Sequence, residues 1–252
     1  METSLHRALK RLYSGDSAGR EVPLGRYRID AKVGERLFEI QHGSLAAIRD
    51  KVRQLLESYE VTVVKPVVVR KRIVKRITPG GAVLHRRMSP KRGRAVDVFE
   101  ELVHFTRVFP HPRLTLEIPL VEVEEWRYPG HGRRRRRREG DFVIEDQRLV
   151  QVRQTHRIRT SGDLRLLVDC ELPMPFHTGH LAVRLGIPRW IAQRVAYTLR
   201  QAGAVRSVDK RGNAILYEWV NEGGIFTPPP PRFAGRRISC DRCPPLYGTP
   251  RD

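Results

Sequence analysis

The sequence contains little cysteine: only Cys170, Cys240 and Cys243 in 252 residues. Three thiols are too few for the disulfide framework that holds small secreted domains together. Cys240 and Cys243 form a lone CxxC pair, and structural zinc takes four ligands, so this pair alone does not predict a zinc site.

Long apolar runs are also missing. No stretch approaches the roughly 18 apolar residues that a membrane helix needs, and the N-terminus has no apolar segment typical of a secretory signal. We therefore expect a cytoplasmic protein with no membrane partner. A chain of 252 residues suits one or two domains with a sizeable core.

Acidic residues are outnumbered, with 28 Asp and Glu against 48 Lys and Arg, which gives a formal net charge of +20. Such an excess predicts a polyanionic partner. The excess is concentrated in residues 61–160, whereas residues 1–60 are almost neutral. This distribution is typical of a catalytic surface flanked by a phosphate-binding surface.

A predicted hairpin carries the candidate catalytic residues. Apolar and polar residues alternate over positions 27–33 and 36–41, and Gly34 suits the first position of a two-residue type II′ turn. That turn would pair Asp30 with Glu39, and like charges placed directly across a sheet repel one another. A divalent cation would turn the repulsion into attraction, because hard cations prefer oxygen ligands. Gln41 would face the same side as Glu39; the alternative is a solvated hairpin that carries two acids by chance.

The flanking segments predict helix, hairpin, helix and strand in that order. Leu5, Leu9 and Leu12 recur at helical spacing. Ser44 can cap a second helix, with apolar positions spaced every three or four residues up to residue 56. The β-branched run 61–69 predicts a buried strand, although Pro66 favours an edge or a bulge.

This order, with Glu2 on the first helix, resembles the PD-(D/E)XK nuclease superfamily over roughly residues 1–70. The resemblance implies an α/β fold with a restriction-endonuclease-like mixed-sheet core and flanking helices. It also implies that Asp30 and Glu39 bind Mg²⁺ or Mn²⁺, that Glu2 supports the metal ligands, and that Gln41 orients water or phosphate. Gln41 stands where lysine is commoner in the superfamily and cannot supply a positive charge.

The basic segment predicts a nucleic-acid surface. A turn at Pro79–Gly81 places basic residues on a long hairpin, followed by a helix that begins near Ala95 and a strand over 114–126. An arginine-rich loop occupies residues 129–140, and its dense charge predicts a mobile arm. The alternatives are a solvated charge run or a loop that binds RNA indiscriminately. The candidate contacts in this segment are Lys71, Arg72, Lys91, Arg92, Arg133, Arg134, Arg135, Arg136, Arg137 and Arg138.

The C-terminal part resembles a winged helix-turn-helix. A short helix near 164–168 precedes a helix that Thr178 would cap, a turn ending at Pro188, a helix over 189–202 and a hairpin over 204–219. The resemblance implies DNA contacts from the third helix and from the hairpin. The alternative is a domain that contacts only proteins. The residues concerned are Arg189, Gln193 and Arg194 on the helix and Lys210, Arg211 and Asn213 on the hairpin.

These observations predict three regions: a nuclease-like domain at 1–160, a small α+β winged-helix domain at 161–222, and a proline-rich tail at 223–252. The order is also similar to an uncharacterised prokaryotic family that joins the two folds. We expect a metal-dependent endonuclease that hydrolyses DNA and is targeted by the winged helix. A catalytically inactive DNA-binding regulator and an RNA-binding or RNA-processing protein are the alternatives, and a homodimer is left open.

Overall fold

A large mixed β-sheet organises the chain in the computed structural model, which describes residues 2–14, 19–130 and 141–220. The fold class is α/β, as the sequence predicted. The elements, in chain order, are α1 (Ser4–Ser14), β1 (Gly19–Leu24), β2 (Tyr27–Val33), β3 (Arg36–Ile40), a 3₁₀ turn (Leu45–Ile48) leading into α2 (Arg49–Leu55), β4 (Glu60–Val64), β5 (Val67–Arg76), β6 (Val83–Met88), a 3₁₀ turn (Ala95–Val98) leading into α3 (Phe99–Leu102), β7 (Leu114–Pro129), β8 (Phe142–Ile158), a 3₁₀ turn (Gly162–Leu167), α4 (Thr178–Leu185), α5 (Arg189–Gln201), β9 (Val205–Arg211) and β10 (Ala214–Trp219).

Eight strands of the described segments form this sheet, in the order β1-β2-β3-β4-β7-β5-β6, with β8 added to β7. Strands β1, β2 and β3 form an antiparallel meander, and β4 then pairs in parallel with β3 after the crossover through α2. Strand β7 pairs with β4 and β5 along one edge and with β8 along the other. The long β7 is therefore the central strand.

The predicted hairpin is confirmed in its turn and in the three pairs nearest the turn, but the predicted Asp30–Glu39 pair is not part of the ladder. Val33 pairs with Arg36, and Ala31 pairs with Phe38. Gly34 has φ +58, the positive value that a type II′ turn requires at its first central position. The turn chemistry therefore sets which residues of β2 and β3 face each other.

The predicted strand over 61–69 is instead two strands, β4 and β5, with Lys65 and Pro66 between them. Lys65 donates its backbone N–H to the Glu117 carbonyl at 2.8 Å, whereas proline has no N–H to continue the ladder. Neither piece is an edge strand, because β4 lies between β3 and β7 and β5 lies between β7 and β6. Pro66 thus lies where the chain passes from β4, which pairs with β3, to β5, which pairs with β6.

Two apolar clusters cover the two faces of the sheet. On one face, Leu5 and Leu9 of α1 pack with Ile40, and Tyr13 contacts the ring of Phe38. The other face holds the larger cluster, which includes Leu37 and the buried residues of α2 and α3. Helices α1 and α2 therefore lie on opposite faces. None of the helices in the described ranges is long and apolar enough to cross a membrane.

The larger cluster continues across residue 160 into the C-terminal helices. Buried Phe99 and Phe105 belong to the same cluster as Leu181 and Leu199. Arg94 also donates its side chain to the Leu185 carbonyl at the end of α4. The C-terminal unit is thus packed against the sheet-bearing part rather than joined to it only by a linker.

Helix α4 begins one residue earlier than its predicted cap implies. His177, and not Thr178, is the cap: its ring Nδ1 accepts from the backbone N–H groups of Gly179 at 2.9 Å and His180 at 3.3 Å. Thr178 is the first helical residue. Histidine can take this role because a neutral ring has one nitrogen that accepts.

Candidate functional site

Three polar residues spaced four apart form one stripe: His6 and Lys10 lie on α1, whereas Glu2, predicted on the same helix, lies just before its first residue, Ser4. Residues at i and i+4 of a helix are neighbours on its surface, and the Glu2 carboxylate lies 3.6 Å from His6 Nε2 and 2.9 Å from Lys10 Nζ. Asp146 of β8 accepts the backbone N–H of Ser4 at 2.8 Å and so holds the start of the helix. The stripe therefore faces the sheet in a fixed position.

The Asp30 carboxylate is the centre of this arrangement. Its Oδ1 lies 3.0 Å from Lys10 Nζ and 3.2 Å from His6 Nε2, and its Oδ2 accepts the backbone N–H of Ile40 at 2.8 Å. Burial raises the pKa of Asp30, but the hydrogen bonds from His6, Ile40 and Lys10 outweigh it and lower the pKa to about 2. Asp30 is therefore ionised at neutral pH.

Lys10 joins three carboxylates. Its Nζ lies within 3.2 Å of oxygens of Glu2, Glu21 and Asp30, and the residue is only 7% exposed. Burial alone would lower the pKa of Lys10, but the three acids raise it well above its usual value. The ammonium group is therefore held charged in a nearly buried position.

Glu39 has its own lysine on the other helix. Lys51 of α2 donates from Nζ to Glu39 Oε2 and to the Arg28 carbonyl, both at 2.6 Å. Burial raises the pKa of Glu39; Lys51 opposes that effect, and the negative charge of Asp30 adds to it. The two carboxylates are thus close enough to influence each other electrostatically.

The pairing of the two carboxylates differs from a continuous ladder. The β2–β3 ladder ends at the Ala31–Phe38 pair, and the Asp30 side chain accepts the backbone N–H of Ile40. Because α1 and α2 lie on opposite faces, Lys10 and Lys51 approach their carboxylates from opposite sides. The charge repulsion expected across the hairpin is therefore relieved by two lysines.

The residues after β3 form a short loop in which Gln41 and His42 are half-buried and Gly43 and Ser44 are exposed. Gln41 donates its side-chain amide to the Ser44 carbonyl at 2.8 Å, so this group orients the loop. Lys65 is buried and donates to the carbonyls of His42 and Gly43 at 2.8 and 2.5 Å. Burial, with the charges of His6 and Lys65, lowers the pKa of His42 to about 4, so that its ring is neutral at pH 7.

An open cleft of about 350 Å³ lies beside this cluster. Its walls combine the α1 stripe with groups from the meander, from the loop after β3 and from β8. Both acidic and cationic groups reach it, so it can hold a polar ligand rather than an apolar one. The lining residues are Glu2, Thr3, His6, Lys10, Glu21, His42 and Gln147.

Two of the candidate phosphate contacts have acidic partners within the sheet. Lys71 lies 2.9 Å from the carboxylate of Glu125, which is 1% exposed, and Arg72 lies 3.1 Å from Glu124. Removing the partner of a buried charge is costly. Lys71 therefore neutralises the buried Glu125, a structural role that the sequence did not predict.

The remaining described candidates are accessible. Lys91, Arg92, Arg189, Gln193, Lys210, Arg211 and Asn213 are exposed, and Arg194 is half-buried. Within residues 2–14, 19–130 and 141–220, none of their charged groups is in an ion pair. The run from Arg133 to Arg138 lies outside the described residues.

Sequence reasoning missed the cations that surround the acids. The spacing of Glu2, His6 and Lys10 was a usable signal, since residues four apart share one face of a helix. Lys51 gave no comparable signal, because its contact with Glu39 depends on how α2 packs on the sheet. The structure thus brings Glu2 and Asp30 together through Lys10, with Glu39 nearby.

Comparison with known proteins gives two matches. Residues 3–159 match the family described as Domain of unknown function (DUF8091). Over 231 residues the chain is 29% identical to a protein of Treponema pallidum (strain Nichols) described as "Uncharacterized protein", and the alignment covers 91% of this chain and 90% of that protein. No solved structure matches.

Proposed function

The chain belongs to the family described as Domain of unknown function (DUF8091), and we propose that it is a metal-dependent endonuclease that hydrolyses DNA phosphodiester bonds. The single observation that carries the proposal is the pair of neighbouring carboxylates on the β2–β3 hairpin, Asp30 with Lys10 beside it and Glu39 with Lys51 beside it. Acids with adjoining cations are the groups that phosphodiester hydrolysis requires.

The order of elements also supports the proposal. The helix α1, the antiparallel meander, the crossover helix α2 and the parallel strand β4 follow one another as in the nuclease core that the sequence resembles. Asp30 and Glu39 occupy β2 and β3, as the resemblance requires. The relation to that superfamily therefore rests on topology and on the positions of the acids.

Lys51 offers the positive charge that Gln41 lacks. Its Nζ lies 2.6 Å from Glu39 Oε2, next to the position where a substrate phosphate would meet the candidate metal ligands. A lysine ammonium there can stabilise negative charge that develops on phosphate oxygens. We assign Gln41 to the orientation of the loop and Lys51 to the stabilisation of charge.

Asp30 and Glu39 would hold the metal ion. The donor set fits a hard cation, because both ligands are carboxylates and Asp30 is ionised at neutral pH. No three His, Cys, Asp or Glu residues in the described part of the chain are grouped as a metal site. Mg²⁺ and Mn²⁺ commonly take their other ligands from water and substrate phosphate. Such an ion would supply an activated water and charge stabilisation.

The C-terminal unit would act as a winged helix that binds the nucleic acid. Helices α4 and α5 are joined by a tight turn, and the β9–β10 hairpin carries exposed Lys210 and Arg211 near its tip. Together with the net charge of +20, these groups favour a polyanion. Loss of Arg211 should weaken binding to all sequences and reduce its salt dependence.

Cleavage assays with plasmid DNA, single-stranded DNA and RNA test the proposal. Each substrate would be incubated with purified full-length protein in Mg²⁺, in Mn²⁺ or in a chelator. We expect metal-dependent cleavage of DNA, with a loss of at least roughly a hundredfold in Asp30→Asn and Glu39→Gln. Glu60→Gln is the matched control, because Glu60 is an exposed strand residue that pairs with Arg36 at the surface.

Cleavage by both metal-ligand variants at the wild-type rate would refute the proposed site. Cleavage of RNA alone would replace DNA with RNA as the substrate. Binding of DNA without cleavage in any metal would favour the second candidate, an inactive DNA-binding regulator. The observation that favours the regulator is that lysines already neutralise both Asp30 and Glu39.

A further inference from the structure

Helix α5 carries an exposed face that combines aromatic and basic side chains. Trp190 is 50% exposed and Tyr197 is 44% exposed. With Gln193 and Arg194 they occupy positions i, i+3, i+4 and i+7, which fall on one side of a helix. The opposite side is apolar and buried, as Ile191 and its neighbours pack in the core. The exposed aromatic rings are therefore not needed to attach α5 to the protein.

The arrangement of the face is specific. The Arg194 guanidinium lies over the Trp190 ring, 5.1 Å from its centroid. This contact places the cation against the ring of Trp190, a residue that is still half exposed. Tyr197 lies one helical turn beyond Arg194, so Arg194 stands between the two aromatic residues along the helix face.

The charge of the face selects its partner. Neither α4 nor α5 contains an aspartate or a glutamate, and the two helices carry four arginines: Arg184, Arg189, Arg194 and Arg200. A cationic surface favours a polyanion over a typical protein partner. Flat aromatic rings between cations suit unpaired bases, which stack on the rings while their phosphates meet the cations.

We propose that the α5 face formed by Trp190, Gln193, Arg194 and Tyr197 binds unpaired bases of single-stranded nucleic acid. Duplex recognition in the major groove uses hydrogen bonds to base edges and leaves two half-exposed aromatic rings without a function. Stacking uses both rings and tolerates any base. The inference rests on the proposed function for the nature of the polymer, and it makes DNA with unpaired segments the substrate class.

Fluorescence anisotropy in chelator tests binding separately from cleavage. The probes are labelled oligothymidine and oligouridine of about 20 nucleotides and a duplex of the same length. Trp190→Ala and Tyr197→Ala should each weaken single-strand binding roughly tenfold, and Trp190→Phe, which keeps a ring, should largely retain it. Duplex affinity should be almost unchanged. Leu166→Ala is the control, because Leu166 is an exposed apolar residue of the same unit outside α5.

Intrinsic fluorescence gives a second measurement. Single-stranded oligonucleotides should quench the tryptophan emission of the wild type, and Trp190→Ala should remove most of the quenching, because the other indoles, Trp126 and Trp219, are buried or half-buried. Equal loss of single-strand and duplex affinity in the alanine variants would overturn the proposal, as would unchanged single-strand affinity. A change in oligomeric state without oligonucleotide binding would also overturn it. Single-strand binding without cleavage in any metal would refute the nuclease and leave this inference standing.

Discussion

Replacing Asp30 with asparagine should destabilise the protein, although removal of one of two neighbouring carboxylates could be expected to stabilise it. The reason is that Asp30 is paired with Lys10 and His6 rather than left to repel Glu39. Its pKa is lowered from 3.8 to about 2. That difference corresponds to roughly 2.5 kcal/mol of stabilisation at neutral pH.

The sign of the pH dependence follows from the lowered pKa. The stabilisation is fully present well above the unfolded pKa of 3.8, and it is lost as the pH falls through about 2. Asparagine does not titrate, so the difference in unfolding free energy between the wild type and Asp30→Asn should be about 2 kcal/mol at pH 7 and roughly half of that near pH 3. The amide can still accept the Ile40 N–H, so the fold should be retained.

Urea unfolding at pH 7 and at pH 3, followed by circular dichroism in chelator, measures this difference. Asp50→Asn is the control, because Asp50 lies on the exposed surface of α2 and its contacts with Arg49 and Arg53 are solvent-screened; we expect a change near zero. A variant more stable than the wild type, or a difference that does not narrow on acidification, would show that Lys10 does not stabilise Asp30 as the geometry indicates.

Lys51→Met should reduce cleavage at least about a hundredfold and move the acid limb of the pH–rate profile upward, because burial already raises the pKa of Glu39 and the lysine that opposes this effect would be gone; an unchanged profile would exclude Lys51 from the site. Lys10→Met should tighten Mn²⁺ binding, measured by electron paramagnetic resonance, since a lysine no longer competes for the carboxylates; weaker binding would contradict this competition. Replacement of Arg133–Arg138 by serine should make DNA affinity depend less steeply on salt concentration. An unchanged dependence would show that these arginines do not contact the DNA phosphates. Gly93→Ala should destabilise the fold by about 1–3 kcal/mol in thermal melts, because the new Cβ would lie 2.4 Å from the Val68 carbonyl oxygen; wild-type stability would show that the loop can move aside.

Local signals predicted the elements whose formation depends on neighbouring residues. The turn at Gly34 determined the β2–β3 register, and the glycines after Pro79 determined the β5–β6 hairpin. Strand β8 escaped prediction because most of its side chains are exposed and its apolar and polar residues do not alternate regularly. Residues Phe142–Ile158 form a strand because they pair with β7, and this pairing depends on tertiary contacts that the local sequence does not reveal.

The sequence predicted the acidic residues of the candidate site but not the lysines that pair with them. Asp30 and Glu39 are separated by one hairpin, so turn geometry brings them to neighbouring strands. Lys51 reaches Glu39 and Lys71 reaches the buried Glu125 only through tertiary packing. Net charge could not distinguish Lys71, which neutralises an internal acid, from the exposed lysines that remain available to a ligand.

The apolar cluster that continues from Phe99 and Phe105 to Leu181 and Leu199 has a mechanical consequence. A linker would let the C-terminal helices sample many distances from the hairpin acids, whereas side chains packed from both parts fix that distance. A nucleic-acid strand bound on α5 would then reach Asp30 and Glu39 at a constant distance from its bound segment. Cleavage products should accordingly have a narrow length distribution measured from the bound segment, and cutting the chain after residue 160 should abolish that spacing together with the stability of both parts.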